Sequence, residues 1–365
     1  MKNGKDLKLN NILVKYLLIV VTFCVTTIFF YDTVEARYRW VRDNDETISF
    51  VGDIYQKAAN VKKAYNREGG INNVVHSSYK KILNNSDYVM GNLECCISNE
   101  TESFDKQFTF RVDPLYKNII KEAGIDLVTV ANNHSLDFGK KALKDTLKNL
   151  EDTGVSYVGV GDDEKKAREP FVKEINGRRY VIYAASAVAP THEWFAIKDS
   201  FGINNGYNSE AVCNEIRKRR KKEPDSIIII YMHWGEEKEE FPSKMQREYA
   251  MKMVDAGCDL ILGSHPHVFQ NIEYYKNVPI IYSLGNFIYG DTSTDTMVLD
   301  ATFDFSVDGE KRIYLKINPG TSGFERVVLL GYKKERDEKV QELMTKCPMC
   351  KIDEYGYIIE NKIEE

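Results

Sequence analysis

Four histidines are the residues best suited to chemistry in this sequence, because each lies directly after a short apolar run that we predict to be a β-strand. They are His134, His233, His265 and His267, and the chain of 365 residues has only six histidines. A lone histidine beside a strand is usually a hydrogen-bonded structural residue. Four of them at equivalent strand ends instead predict imidazoles that meet at one site.

Side chains with oxygen atoms that could bind metal also follow predicted strands. Asp53, Glu94 and Asn133 each follow an apolar run. Carboxylate, amide and imidazole groups together suit borderline divalent metals such as Mn, Fe or Zn. In His265-Pro266-His267 the proline stiffens a turn, which helps the two imidazoles to converge. The sequence therefore predicts a metal-binding cleft.

The predicted strands alternate with segments of helical periodicity, an order that is typical of a layered α/β domain. The strands are 48–51, 88–90, 125–130, 227–232, 260–262 and 278–282, and the helices are 74–83, 115–123, 140–150, 209–222 and 243–255. In open α/β sheets ligands bind at the carboxyl ends of the strands, which is where the polar residues lie. Two later runs, 297–305 and 311–317, have no helix between them and predict an antiparallel hairpin at the edge of a second sheet.

Composition excludes several classes of protein. The chain has 50 basic and 55 acidic residues, a formal net charge of -5, and 43% hydrophobic residues. This apolar content is too high for a disordered or collagen-like chain. A mildly acidic chain also lacks the electrostatic footprint of a nucleic-acid binder, so no nucleic-acid partner is expected.

The seven cysteines are too sparse for a disulfide scaffold. Cys347-Pro348-Met349-Cys350 is a single CxxC pair, without the second pair that a structural zinc site needs. It forms either a local disulfide or two ordinary thiols.

The N-terminus carries a candidate membrane segment. Residues 16–31 are an apolar, threonine-bearing run that follows four lysines, so residues 1–15 are expected in the cytoplasm and the bulk of the chain outside it. Residues 16–36 are either a single-pass signal anchor or a signal peptide that is cleaved after Ala36. The first alternative places the protein at the cell membrane, and the second makes it secreted.

The strand-end motifs, taken in order, resemble those of the capsule synthesis CapA (PgsA) family. They are Gly52-Asp53, Asn92-Leu93-Glu94, Asn132-Asn133-His134 with Asp137 and Gly139, His233-Trp234-Gly235-Glu236, Gly263-Ser264-His265-Pro266-His267 and Tyr282-Ser283-Leu284-Gly285-Asn286-Phe287. The resemblance implies a role in poly-γ-glutamate capsule production beside membrane proteins that synthesise and export the anionic polymer. It also implies a calcineurin-like metallophosphoesterase sandwich over residues 45–320, with two mixed β-sheets flanked by helices and a C-terminal extension over 321–365.

The same resemblance implies one or two divalent ions. The roles that it carries over are Asp53 and His267 at the first metal, Asn133, His233 and His265 at the second, Glu94 as the bridging carboxylate, and His134 as an acid near the leaving group. Asn92, Asp137, Glu236 and Asn286 are expected to orient ligands or to contact the substrate, although Glu236 also fits a solvated loop and Asn286 a cap of the next element. Tyr55 stands where metallophosphoesterases have a histidine, and Glu94 stands in place of an aspartate.

Three functions follow from these residues. The chain is a metal-dependent hydrolase or transferase that acts on a phosphoester or on γ-glutamyl links, a non-catalytic scaffold that guides polymer, or a surface metallophosphoesterase unrelated to capsule. The ligand-type residues favour the first, and Tyr55 with the membrane segment favours the second. The basic run 217–222 either touches an anionic polymer or is a solvated helix face.

Overall fold

A computed structural model describes residues 46–55, 59–290, 293–304, 311–353 and 356–361. Residues 46–302 and 313–365 form the larger of two compact units. The anchor or signal peptide predicted at 16–36 lies outside the described residues. Within the described ranges, no helix combines the length and apolar character that crossing a membrane requires.

The larger unit alternates strands and helices. The strands are β1 (Glu46–Ile54), β2 (Tyr88–Leu93), β3 (Cys96–Ile97), β4 (Arg111–Val112), β5 (Leu127–Thr129), β6 (Ser156–Val158), β7 (Val160–Gly161), β8 (Phe171–Ile175), β9 (Arg178–Ser186), β10 (Gly202–Ile203), β11 (Ile227–His233), β12 (Leu260–Ser264), β13 (Phe269–Tyr275), β14 (Val278–Leu284), β15 (Thr294–Asp304), β16 (Arg312–Ser322), β17 (Val327–Leu329), β18 (Cys350–Ile352) and β19 (Ile358–Glu360). The helices are α1 (Ala59–Tyr65), α2 (Ser77–Asn84), α3 (Asn118–Glu122), α4 (Gly139–Thr153), α5 (Glu164–Ala167), α6 (Ser209–Lys222), α7 (Lys244–Asp255) and α8 (Lys333–Met344).

Two large mixed sheets carry the fold. The first has the order β18-β19-β16-β15-β1-β2-β5-β6, with β17 beside β16, and the second has the order β13-β14-β12-β11-β9-β8. Strands β1, β2, β5 and β6 pair in parallel, as do β9, β11, β12 and β14. The expected α/β class with two mixed sheets and flanking helices is confirmed. Parallel pairing brings the carboxyl ends of neighbouring strands to one edge of each sheet.

The predicted hairpin at the edge of a second sheet is wrong in its placement. β15 lies beside β1, and β16 lies between β15 and β19, so both strands are interior to the first sheet. Residues after 320 continue that sheet through β17, β18 and β19. Sequence alternation indicates a strand but does not say which neighbour it pairs with.

Local sequence explains why the strands of the second sheet are buried and which helices pack on them. All seven residues of β11 are buried, as expected for an isoleucine-rich strand that has parallel neighbours on both sides and covered faces. Val212 and Ile216 of α6 and Met253 of α7 share one buried cluster with Ile228 and Ile230 of β11. Helix α7 begins with a capping box between its N-cap serine and the third helical residue, which satisfies two backbone donors at that end.

The first and second sheets join where β1 ends against β14. Asp53 N–H donates to the Gly285 carbonyl oxygen at 2.9 Å, and Phe287 N–H donates to the Asp53 carbonyl oxygen at 2.8 Å. Tyr231 Oη donates to the Val51 carbonyl oxygen at 2.9 Å, which ties β11 to β1. A Cβ atom on Gly52 would lie 1.8 Å from the Gly285 carbonyl oxygen, so this crossing requires a glycine.

Substituting Gly52→Ala is expected to lower the free energy of unfolding by about 1–3 kcal/mol or more, because two backbones must separate to admit the methyl group. Urea unfolding followed by circular dichroism measures this loss. Gly331→Ala is the matched control, since a Cβ atom there meets no heavy atom within 4 Å among the described residues. Equal stability of the two variants would contradict the close approach.

Candidate metal centre

One group of potential ligands joins the two sheets. Glu94 follows β2, His233 ends β11, and His265 follows β12. One ligand atom from each of these three residues lies within 4.8 Å of those from the other two. His233 Nε2 is 3.7 Å from Glu94 Oε1, and both side chains are fully buried. These are three of the residues that the sequence analysis assigned to metal binding.

A second group shares Glu94 with the first. Asp53, Glu94 and His267 also offer ligand atoms within 4.8 Å of one another. His267 Nδ1 is 3.2 Å from Asp53 Oδ2, and His267 Nε2 is 3.7 Å from Glu94 Oε1. Glu94 therefore lies between the two groups, at the place that the resemblance gives to a bridging carboxylate.

Unpaired buried polar atoms indicate that this site suits a cation. Both carboxylate oxygens of Glu94 and the Nδ1 of His265 are buried without a hydrogen-bond partner in the described part of the chain. Such atoms are rare in folded proteins and cost free energy unless another group binds them. Burial, with the nearby Asp53 carboxylate, holds the pKa of Glu94 well above its ordinary value. The donor set of oxygen and imidazole nitrogen fits a borderline divalent metal.

Amide and hydroxyl groups contact the candidate ligands. Asn133 Oδ1 is 2.8 Å from His233 Nε2, and Ser264 Oγ is 3.0 Å from His233 Nδ1. Asn92 Nδ2 donates to Asp53 Oδ1 at 2.8 Å. Asn92 therefore contacts one of the candidate ligands. Asn133 meets the same imidazole edge that a metal would use.

The turn that carries His265 and His267 is strained. His265 has a backbone φ angle of 98° and His267 one of 60°, values that residues other than glycine rarely adopt. Backbone strain of this kind persists where the surrounding structure fixes it, and it clusters at functional sites. Burial lowers the pKa of His265 to about 3. Burial opposes the protonation of His267 as well, but the carboxylates of Glu94 and Asp53 outweigh it and raise that pKa to about 10.

His134 lies beside the two groups rather than within them. Its Nδ1 is 2.7 Å from Asp137 Oδ2, and its ring stacks on Phe110 at a centroid distance of 3.8 Å. Burial lowers the pKa of His134, although Asp137 raises it in part. Since Asp137 holds Nδ1, Nε2 is the nitrogen left to exchange a proton. The structure thus brings His134 and Asp137 into direct contact.

Lys106 is a component of the site that the sequence analysis missed. Its Nζ lies 2.5 Å from Asp137 Oδ1 and 2.6 Å from the Asn133 carbonyl oxygen. It also lies 5.1 Å from the ring centre of Trp194. The lysine sits in an irregular stretch between β3 and β4, where no periodicity or motif marks one residue over another.

Of the remaining predicted residues, Asn286 contacts the candidate ligands and Glu236 does not. Asn286 Oδ1 is 2.9 Å from His267 Nδ1, so Asn286 contacts a ligand. Glu236 is exposed and belongs to neither group, whereas its neighbour Glu237 offers a ligand atom near those of His265 and His267. Gly235, with φ of 89°, turns the chain between β11 and these glutamates. Glu237 is exposed as well, and the sequence does not show which of the two adjacent carboxylates such a turn directs toward the histidines.

Aromatic residues pack beside the second group. Tyr55, at the position where a histidine was noted as missing, is fully buried and stacks on Phe110 at 3.9 Å between ring centres. Tyr289 lies 4.9 Å from the His267 ring and 5.5 Å from the Tyr55 ring, measured between centroids. A wall of aromatic rings thus occupies the place of that missing ligand.

Buried carboxylates and imidazoles at the meeting strand ends of two mixed sheets define an α/β protein with a candidate metal centre. The chain belongs to the bacterial capsule synthesis protein PGA_cap family, whose model matches residues 47–291. The matched region contains every residue of both ligand groups. The resemblance inferred from the strand-end motifs is therefore confirmed.

Three curated relatives show the extent of the similarity. The chain is 33% identical over 268 residues to "Capsule biosynthesis protein CapA" of Bacillus anthracis, covering 70% of this chain and 62% of the relative. It is 30% identical over 257 residues to "PGA biosynthesis protein CapA" of Bacillus subtilis (strain 168), covering 70% and 66%. A "Probable polyglutamine synthesis accessory protein" of Mycobacterium tuberculosis is 29% identical over 211 residues, 56% of each chain. The chain thus spans under two thirds of the length of these relatives.

Proposed function

We propose that this chain is a membrane-anchored, extracytoplasmic component of poly-γ-glutamate capsule production with a metal-dependent hydrolase or transferase site. The observation that carries the proposal is Glu94, whose two buried oxygens have no hydrogen-bond partner in the described residues and lie between two ligand groups. A carboxylate in that position is costly unless a cation binds it. We infer a calcineurin-like metallophosphoesterase sandwich for the same reason, since the ligands follow the parallel strands of both sheets in the order of that family.

The residues that would hold metal are those of the two groups, with Asn133 beside them. Glu94, His233 and His265 would bind one ion, and Asp53, Glu94 and His267 would bind another. Mn, Fe or Zn is expected from this donor set. When bound, a divalent ion would polarise a phosphoryl or carbonyl oxygen as a Lewis acid.

Group transfer also requires a proton donor and a group that attracts the anionic substrate, and side chains of this protein would supply both. His134 is held by Asp137 and packed flat against Phe110, so its orientation is fixed before substrate binds. Lys106 places a positive charge beside this pair. We assign His134 the proton transfer to the leaving group and Lys106 the attraction of an anionic substrate.

The biological setting of the proposal comes from the relatives. Two of them are named for capsule or PGA biosynthesis and one for polyglutamine synthesis. We propose that the N-terminal segment anchors this chain beside the membrane proteins that synthesise and export poly-γ-glutamate. The substrate would be a γ-glutamyl link of that polymer or a phosphoester met at the same surface.

A non-catalytic, polymer-guiding scaffold is the second candidate, and Tyr55 favours it. This residue puts a buried ring where metallophosphoesterases have a ligand, beside the group that contains His267. A site with fewer ligands would bind one ion or none. The two candidates differ in metal content.

Metal content of the purified full chain, measured by plasma mass spectrometry, tests the proposal. We expect near-stoichiometric Mn, Fe or Zn in the wild type and a loss of most of it in the His265→Ala/His267→Ala double variant, because each ligand group loses an imidazole. His192→Ala is the matched control, since His192 is exposed and belongs to neither ligand group. Circular dichroism verifies that the double variant folds. No metal in the wild type, even after reconstitution, would overturn the metal-dependent site and leave the scaffold.

A further inference from the structure

The C-terminal segment presents two thiols to one residue of an edge strand. β13 ends the second sheet and pairs, within the described residues, with β14 alone. Ile272 N–H donates to Cys347 Sγ at 3.1 Å, and Cys350 Sγ donates to the Ile272 carbonyl oxygen at 3.2 Å. An edge strand leaves backbone groups without ladder partners. Here the two thiols bind both polar groups of one peptide residue, which fixes them side by side.

A tight turn brings these thiols together. Cys350 N–H donates to the Cys347 carbonyl oxygen at 2.9 Å. They are thiols in this structure and not a disulfide. Cys347 is fully buried, and Cys350 is 8% exposed. The neighbouring Cys350 thiol and the Ile272 N–H lower the pKa of the Cys347 thiol and outweigh the effect of burial, so Cys347 gains thiolate character.

We propose that Cys347 and Cys350 are a redox pair that closes to an intramolecular disulfide when the protein meets a disulfide oxidant of low molecular weight. One cysteine sulfur attacks the oxidant, whose S–S bond breaks to release the first small thiol. The other sulfur then attacks the mixed disulfide, which forms the Cys347–Cys350 bond and releases the second small thiol. The two protons of the cysteines pass to the two departing thiolates, so the oxidant is reduced to two thiols.

Closing this bond changes how the C-terminal segment is held. The disulfide keeps a sulfur acceptor for Ile272 N–H but removes the S–H group that donates to the Ile272 carbonyl oxygen. The turn between α8 and β18 becomes covalently closed beside β13. The redox state therefore sets the stiffness of the segment that covers the edge of the second sheet. This inference is independent of the proposed metal site.

Cys258 provides an internal control within the same chain. It is buried, and its Sγ lies 3.3 Å from the Ile228 carbonyl oxygen and 3.2 Å from that of Leu260. Burial raises the pKa of this thiol to about 12. A thiol with so little thiolate character reacts slowly with disulfides. Cys258 is therefore expected to stay reduced under conditions that oxidise the pair.

Mass spectrometry of one tryptic peptide tests the proposal. The full chain is incubated with oxidised glutathione, unfolded, treated with N-ethylmaleimide and digested with trypsin. Cleavage after Lys346 and after Lys351 yields a peptide of residues 347–351 that contains both cysteines. We expect this peptide to lose both maleimide adducts and to be lighter than the reduced, unblocked peptide by two hydrogens. The peptide with Cys258 should remain blocked by maleimide.

Three results would overturn the proposal. They are a 347–351 peptide with two maleimide adducts, one that carries glutathione on a cysteine, and one that is linked to a second peptide. Cys350→Ser gives a further test in which the sulfur of Cys347 has no partner. We expect that variant to yield no 347–351 peptide lighter by two hydrogens, because no internal disulfide can form, and Cys258→Ser to yield the internal disulfide as the wild type does.

Discussion

Substituting Glu94→Gln will remove the metal and yet stabilise the metal-free protein. The side chain keeps its size but loses the charge that both ligand groups share. Metal affinity should fall by more than about 100-fold, since even residues behind the ligands contribute about 10- to 100-fold. The metal-free form should gain about 1 kcal/mol or more at neutral pH, because a buried amide loses less hydration energy than a buried carboxylate. Plasma mass spectrometry and urea unfolding with a chelator measure the two effects.

The sign of the stability change depends on pH. Because burial and Asp53 raise the pKa of Glu94 in the folded chain, the Glu94 side chain releases its proton at a higher pH in the folded state than in the unfolded state. The metal-free wild type therefore loses stability as pH rises above the ordinary pKa of a glutamate side chain. The variant lacks this titration, so its stability advantage over the wild type should widen as pH rises above that value.

Glu46→Gln is the matched control, since it makes the same substitution at another fully buried glutamate. Glu46 Oε1 accepts a hydrogen bond from Arg178 Nη1 at 3.0 Å, and its other oxygen accepts one from Tyr180. Removing this paired charge is expected to lower the free energy of unfolding by about 1–3 kcal/mol while metal content stays unchanged. If both variants were destabilised to the same degree, Glu94 would be an ordinary paired carboxylate and the argument for a cation would fail.

The positions of the strand-end residues could be predicted from the sequence because parallel pairing places the carboxyl ends of neighbouring strands at one edge of a sheet. A residue at the end of a buried parallel strand, or directly after it, lies at the carboxyl edge of its sheet, wherever that strand lies in the strand order. Asp53, Glu94, His233 and His265 follow this rule, and their ligand atoms meet in the two groups. Their roles as metal ligands stay predictions.

Residues outside regular strands could not be found in this way. Lys106 reaches the site from an irregular stretch, and its position depends on contacts with Asp137 and Trp194 that are distant in the sequence. Glu236 and Glu237 are adjacent glutamates, and only the direction that the chain takes after the Gly235 turn decides which of them lies near the histidines. The placement of β15 beside β1 likewise depends on long-range pairing, which alternation alone does not specify.

Substituting His134→Gln is expected to lower the turnover number about 10²- to 10⁴-fold without removing metal. His134 lies outside both ligand groups, and Asp137 fixes its Nδ1, so the lost function is proton transfer through Nε2. A proton donor matters most for a poor leaving group. The loss should therefore be large for an alkyl phosphoester and much smaller for a p-nitrophenyl phosphoester, whose leaving group departs without protonation.

This dependence on the leaving group separates catalysis from structure. Phe110 stacks on the His134 ring, so replacing that ring also changes the packing of the site. A variant that acted only through this packing would slow the reactions of both substrates equally. His192→Gln, at an exposed histidine, should leave both rates and the metal content unchanged. Equal losses on the two substrates, or loss of metal from His134→Gln, would contradict the role of leaving-group acid. His134 would then be a residue that supports the neighbouring Asn133 and the fold of the turn.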